Sequence, residues 1–116
     1  MHKSPASGSA AGSAFESFYL HSMPRFRDLP VDAVVDVRSK LEFWLGHLPG
    51  AVCVPVDQLP HGISDLAGVT TATRILVYCA SGARSASAAA ALRAAGYQRV
   101  TDGGGIGEAR RDFDAV

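Results

Sequence analysis

Residues 73–96, TRILVYCASGARSASAAAALRAAG, constrain the fold more than any other stretch of the chain. TRILVYC is a continuous apolar run suited to a strand covered on both faces. A short turn then leads into RSASAAAALRAAG, a strong helix former because of its alanines, with Gly96 where the residue just past a helix end is expected. A buried strand feeding a helix directly belongs to an α/β layer arrangement, and the rest of the chain fits that plan. PVDAVVDVR (30–38) reads as a second buried strand, residues 51–54 as a short third and YQRV (97–100) as a fourth. The aromatic-rich FESFYLH (15–21) reads as a further short strand at the domain edge. Ser39 and Glu42 form a capping-box pattern, so KLEFWL is predicted to be a short helix that Gly46 stops. Another helix is expected to begin near Asp57, and DGGGIGEARRDF reads as a glycine turn followed by a short terminal helix. Together these predict a small central, mostly parallel five-stranded sheet with helices on both faces.

The 116 residues suffice for one domain, expected over 15–116 behind a flexible Ser/Ala/Gly/Pro-rich segment at 1–14. Eleven basic side chains balance eleven acidic ones, so the composition carries no footprint for nucleic acid or an anionic membrane. No apolar run is long enough to span a bilayer, and the amino terminus lacks the apolar stretch of an export signal. Two cysteines do not make a disulfide framework, and the expected setting is the reducing cytoplasm. The four histidines lack paired ligand spacing, so neither a metal nor another cofactor is expected. DGGGIG does not match a dinucleotide fingerprint, because the spacing fails at Glu108.

In a parallel sheet, ligands bind beyond the carboxyl ends of the strands. Both Asp36-Val37-Arg38 and Cys79 lie at such ends, so the two most chemically loaded stretches are expected on one rim. A thiol is a useful nucleophile only as thiolate, and a free cysteine, with a pKa of about 8.5, is mostly protonated at neutrality. The start of the following helix presents unpartnered amides and partial positive charge to Cys79. Gly82 lets the backbone turn so that successive amides face inward, Arg84 adds a full charge at the mouth, and Ser81 and Ser85 add hydroxyl donors. The bland alternative is a buried, inert thiol. That reading suits Cys53, among apolar neighbours in GAVCVP, better than Cys79, which has an arginine and two serines beside it. Trp44, between Phe43 and Leu45, is expected in the core.

Three segments in order carry a family resemblance over residues 30–111: VVDVRSKLEFWLGHLPGAVCVP, YCASGARS and GYQRVTDGGGIGEAR. The chain resembles a single-domain rhodanese of the sulfurtransferase superfamily. The first segment is similar to that family's D-V-R followed by G-H-I-P-G-A, and the second fits C-x-x-G-x-R-S. The third matches most loosely, since the family often has an aromatic residue where this chain has Glu108-Ala109-Arg110. The resemblance implies a rhodanese-like fold and a catalytic Cys79 that takes a sulfane sulfur from a small anionic donor such as thiosulfate. Cyanide or a thiol would then remove the sulfur from the Cys79 persulfide. The loop Ala80, Ser81, Gly82, Ala83, Arg84 and Ser85 would bind the anionic outer sulfur. Asp36 would pair with Arg84 or hold the loop, and Arg38 would brace the loop or attract the donor. The resemblance also implies that the DGGGIG segment is a flexible turn near the active rim. His47 is expected to orient the turn before the next strand.

Alternatives share this scaffold. Rhodanese-related phosphatases and arsenate reductases resemble it, but those phosphatases place five residues between Cys and Arg. This chain has four, Ala80 to Ala83, a loop cramped for phosphate. A binding module without catalysis would commonly lack the loop cysteine, which is present here. A carrier that relays sulfur to a protein acceptor would share the same chemistry.

Overall fold

The structure is a computed structural model that describes residues 23–115. The segments 1–14 and FESFYLH lie outside the described residues. The main sheet contains β3 (Ala33–Asp36), β4 (Val52–Cys53), β5 (Arg74–Cys79) and β6 (Arg99–Gly105), in the order β4-β3-β5-β6 and parallel at every pairing. β1 (Arg25–Phe26), β2 (Leu29–Pro30) and β7 (Phe113–Asp114) form a separate antiparallel sheet ordered β2-β1-β7. The helices are α1 (Lys40–Trp44), α2 (His61–Ser64), α3 (Ala83–Ala94) and α4 (Ile106–Asp112). Among the described residues, no helix is long and apolar enough to cross a membrane.

Side-chain alternation along β5 sorts the core into two layers. Ile75, Val77 and Cys79 pack with Val35, Val37 and Val54, beneath Ala88, Ala89 and Leu92 of α3 and Ile63 of α2. Leu76 and Tyr78 point the other way, into a layer with Val34, Leu48, Phe26 of β1 and Ala109 of α4. Ala88 and Ala89 are buried, so the alanine run lets α3 lie close on the sheet. Gly96 adopts φ +101° just beyond α3, a conformation that favours glycine.

Four features differ from the sequence-based expectation. The main sheet has four strands, not five, and the extra strands build the second, antiparallel sheet. Those strands are two residues each and are defined by pairing across the chain, Arg25 with Asp114 for example, which no local period can encode. The helix expected near Asp57 is a single 3₁₀ turn, Val56–Gln58, followed by the four-residue α2. The glycine run is not a flexible turn: β6 continues through Gly103 to Gly105, because β5 offers backbone partners there, and α4 follows at once. Trp44 is not in the core; it is 77% exposed on α1, a helix that buries no residue.

Candidate active site

β5 delivers Cys79 to the carboxyl rim of the sheet with its side chain on the α3 side. Gly82 occupies the N-cap of α3 at φ +109° and offers no capping side chain. The first amides of this twelve-residue helix are therefore left to face the sulfur. The Gly82 N–H donates to Cys79 Sγ across 3.0 Å. Cys79 is fully buried, and burial is the largest single influence on the thiol, opposing ionisation. The Ser85 hydroxyl and the amides of Ser85, Gly82 and Ser81 together outweigh it, holding the thiol below its ordinary value.

The back wall of this cradle is the glycine run of β6. Val77 pairs with Asp102 and Cys79 with Gly105, so β6 advances three residues while β5 advances two. This bulge sets Gly105 directly beside the loop, where a Cβ would lie 2.6 Å from the Ala80 carbonyl oxygen. The buried Ser85 hydroxyl donates to the Gly82 carbonyl at 3.1 Å and lies 3.4 Å from that of Gly104, tying α3 to the wall. Ala80, Ser81 and Ala83 are exposed along the open side of the loop.

Asp36 and Arg38 sit at the same end of the sheet as a buried pair. Arg38 Nη2 donates to Asp36 Oδ2 at 2.7 Å and to the Gly46 carbonyl at 2.6 Å, and Arg38 Nε donates to Asp36 Oδ1 at 2.9 Å. The Arg38 guanidinium lies over the Tyr78 ring at 5.8 Å, and the Tyr78 phenol accepts the Leu48 N–H at 3.0 Å. Burial pushes the Tyr78 hydroxyl well above its ordinary range. The cluster thus fastens the segment 46–48 to the sheet. His47 stacks on Phe43 at 3.7 Å, with Nδ1 2.8 Å from the Phe43 carbonyl oxygen, and holds the same turn.

Arg84 does not pair with Asp36. Its two terminal nitrogens donate to the two carboxylate oxygens of Glu42, at 2.7 and 3.0 Å. Glu42 is fixed in turn by the capping box of α1: Ser39 N donates to Oε1 at 3.0 Å, and the Glu42 amide donates to Ser39 Oγ at 3.2 Å. The Arg84 guanidinium, aided by the Ser39 backbone, brings the Glu42 carboxyl down to about 2. Glu42, Tyr78 and Gly105 are site residues that sequence reasoning missed. The capping box was the one available pointer to Glu42, as a helix start and not as a partner of the loop.

Cys53 lies on β4, two strands from β5, in register with Asp36. Val54 belongs to the α3-side layer, so alternation turns Cys53 toward the other face, away from Cys79. Burial raises its thiol above the ordinary value. Among the described residues both cysteines are free.

Comparison with known proteins agrees with this architecture. The rhodanese-like domain family model matches residues 23–105, and the chain belongs to that family as a single rhodanese-like domain. It is 34% identical over 94 residues to a sulfurtransferase of Allochromatium vinosum, covering 79% of this chain and 85% of that protein. It is 36% identical over 90 residues, 72% of its length, to a tRNA uridine(34) hydroxylase of Erwinia tasmaniensis, of which it spans only 25%. Among solved structures, a rhodanese with anions from E. coli superposes with a TM-score of 0.62 at 28% identity, over 66% of this chain and 88% of that one.

Proposed function

We propose that this domain is a sulfurtransferase in which Cys79 carries a sulfane sulfur between a donor and a thiophilic acceptor. The observation that carries this reading is the buried Cys79 sulfur 3.0 Å from the Gly82 amide, in a cradle that lowers its pKa. With thiosulfate, the Cys79 thiolate attacks the outer sulfur; an S–S bond forms, the donor S–S bond breaks, and its electron pair leaves on sulfite. The outer sulfur of the resulting persulfide carries one negative charge. The loop amides and the dipole of α3 stabilise it as an oxyanion hole stabilises oxygen. Cyanide or a thiolate then takes that sulfur and the Cys79 thiolate returns, so two half-reactions give ping-pong kinetics. Asp36, Arg38 and Tyr78 act as positioning residues through the 46–48 segment.

The sulfurtransferase of similar length supports this reading. The test is intact mass after incubation with thiosulfate. The expected result is a gain of one sulfur that cyanide reverses, lost in Cys79→Ser and kept in Cys53→Ser. Phosphatase turnover without sulfur loading would overturn it.

A further inference from the structure

Arg84 stands at the mouth of the Cys79 cradle, yet it presents no bare charge there, and the buried Arg38 at the same end of the sheet is likewise paired. Both carboxylate oxygens of Glu42 occupy the guanidinium fork of Arg84 at 2.7 and 3.0 Å, and Asp36 occupies that of Arg38. The fork is the geometry by which arginine receives an oxyanion, so a sulfonate finds this one already filled. Glu42 is held there by two further hydrogen bonds from Ser39, through N and Oγ, each 3.0 Å long. Beyond these pairs the nearest cation along α1 is the exposed Lys40 at its first position. On the same helix Leu41 and Trp44, and Leu45 at its C-cap, are 65%, 77% and 72% exposed. Their i, i+3, i+4 spacing places them on one face, beside Glu42.

We infer that Glu42 sets donor specificity at this site, disfavouring small dianions such as thiosulfate and favouring organic persulfides with an uncharged carbon framework. This rests on the sulfurtransferase reading above. A dianion brings a second negative charge to the mouth, where it meets the Glu42 carboxylate. An organic persulfide, largely R–S–S⁻ at neutral pH, brings one charge fewer and reacts through its protonated form R–S–SH, and its carbon framework has the exposed apolar side chains of α1 to lie on. The Cys79 thiolate attacks its outer sulfur, the Cys79 S–S bond forms and the donor S–S bond breaks. The electron pair leaves on R–S⁻, which takes up the persulfide proton as R–SH while Cys79 keeps the anionic outer sulfur.

Glu42→Gln separates charge from structure, because glutamine also completes a capping box. The experiment measures rates of Cys79 persulfide formation by quenched-flow intact mass, with thiosulfate and with the persulfide of N-acetylcysteamine. In Glu42→Gln the thiosulfate-to-persulfide ratio of loading rates should rise about tenfold, the scale on which one freed charge alters electrostatic capture. Thiosulfate loading should also become strongly salt-dependent, whereas in the unmodified chain it depends on salt weakly. An unchanged ratio in a folded variant overturns the inference while sulfur loading itself stands. Should the variant not fold, steep salt dependence of thiosulfate loading in the unmodified chain overturns it equally. Loading from neither donor overturns the sulfurtransferase reading as well.

Discussion

Gly105→Ala is the substitution for which the structure supplies both direction and size. A Cβ at this position would stand 2.6 Å from the Ala80 carbonyl oxygen and 3.2 Å from both the Ala80 carbonyl carbon and Ser81 Cα. Ordinary contact begins at 3.4 Å, and every obstructing atom is backbone, so no side chain can swing aside. Relief requires the loop to retreat by roughly 0.8 Å, in the segment that joins Cys79 to the Gly82 amide. Overpacking of this kind costs about 1–3 kcal/mol of stability. A displacement near 1 Å at a catalytic centre lowers rate by about a hundredfold. Gly107→Ala is the control: it lies within α4 with nothing within 4 Å of a new Cβ. Alanine there should raise stability by about 0.5–1 kcal/mol and leave sulfur loading unchanged. Urea unfolding supplies the stabilities, and persulfide formation from thiosulfate by intact mass supplies the rates. If Gly105→Ala keeps the unmodified chain's loading rate and Cys79 thiolate titration, the bulge does not shape the cradle and the reasoning fails.

Two further outcomes rest on the charges of the site. The folded state holds the Cys79 thiol below its ordinary value of about 8.5. Folded chains therefore bind fewer protons than unfolded ones between those two values, and this group's stabilising contribution grows with pH across that window. Urea unfolding should show the contribution complete above about pH 9 and lost as pH falls through the folded value, with Cys79→Ser lacking it. Ser85→Ala should narrow the window, and a thiolate titration identical to that of the unmodified chain would refute the role given to its hydroxyl. Asp36→Asn leaves the Arg38 guanidinium buried without its counter-charge and should cost about 3–5 kcal/mol, against the near-zero cost of losing an exposed pair. A loss below 1 kcal/mol in urea unfolding would show that the pair does not anchor the 46–48 segment.

What the sequence disclosed was set by how local each signal is. TRILVYC and the alanine run carry strand and helix in their own composition, and β5 and α3 appear within a residue or so of the expected places. Ser39 and Glu42 formed their capping box as expected, since its partners are three residues apart. β1, β2 and β7 left no trace, because two-residue strands exist only through their distant partners. The same holds at the site. Gly82 and Ser85 are legible beside Cys79, whereas the 42-residue separation between Glu42 and Arg84 hides their pairing. The family resemblance implied that Asp36 would pair with Arg84 or hold the loop. Arg38, only two residues from Asp36 along the chain, takes that carboxylate instead.

The placement of the two cysteines bears on how the chain withstands oxidants. A disulfide needs Cα atoms about 4.4–6.8 Å apart. Cys53 and Cys79 are two strands apart, roughly 9–10 Å at ordinary strand spacing, with side chains on opposite faces. Once oxidised to a sulfenic acid, Cys79 has no resolving thiol in Cys53. Its recovery depends on an external thiol, so under the proposed sulfurtransferase reading the same thiols that would discharge a Cys79 persulfide would also guard Cys79 against overoxidation.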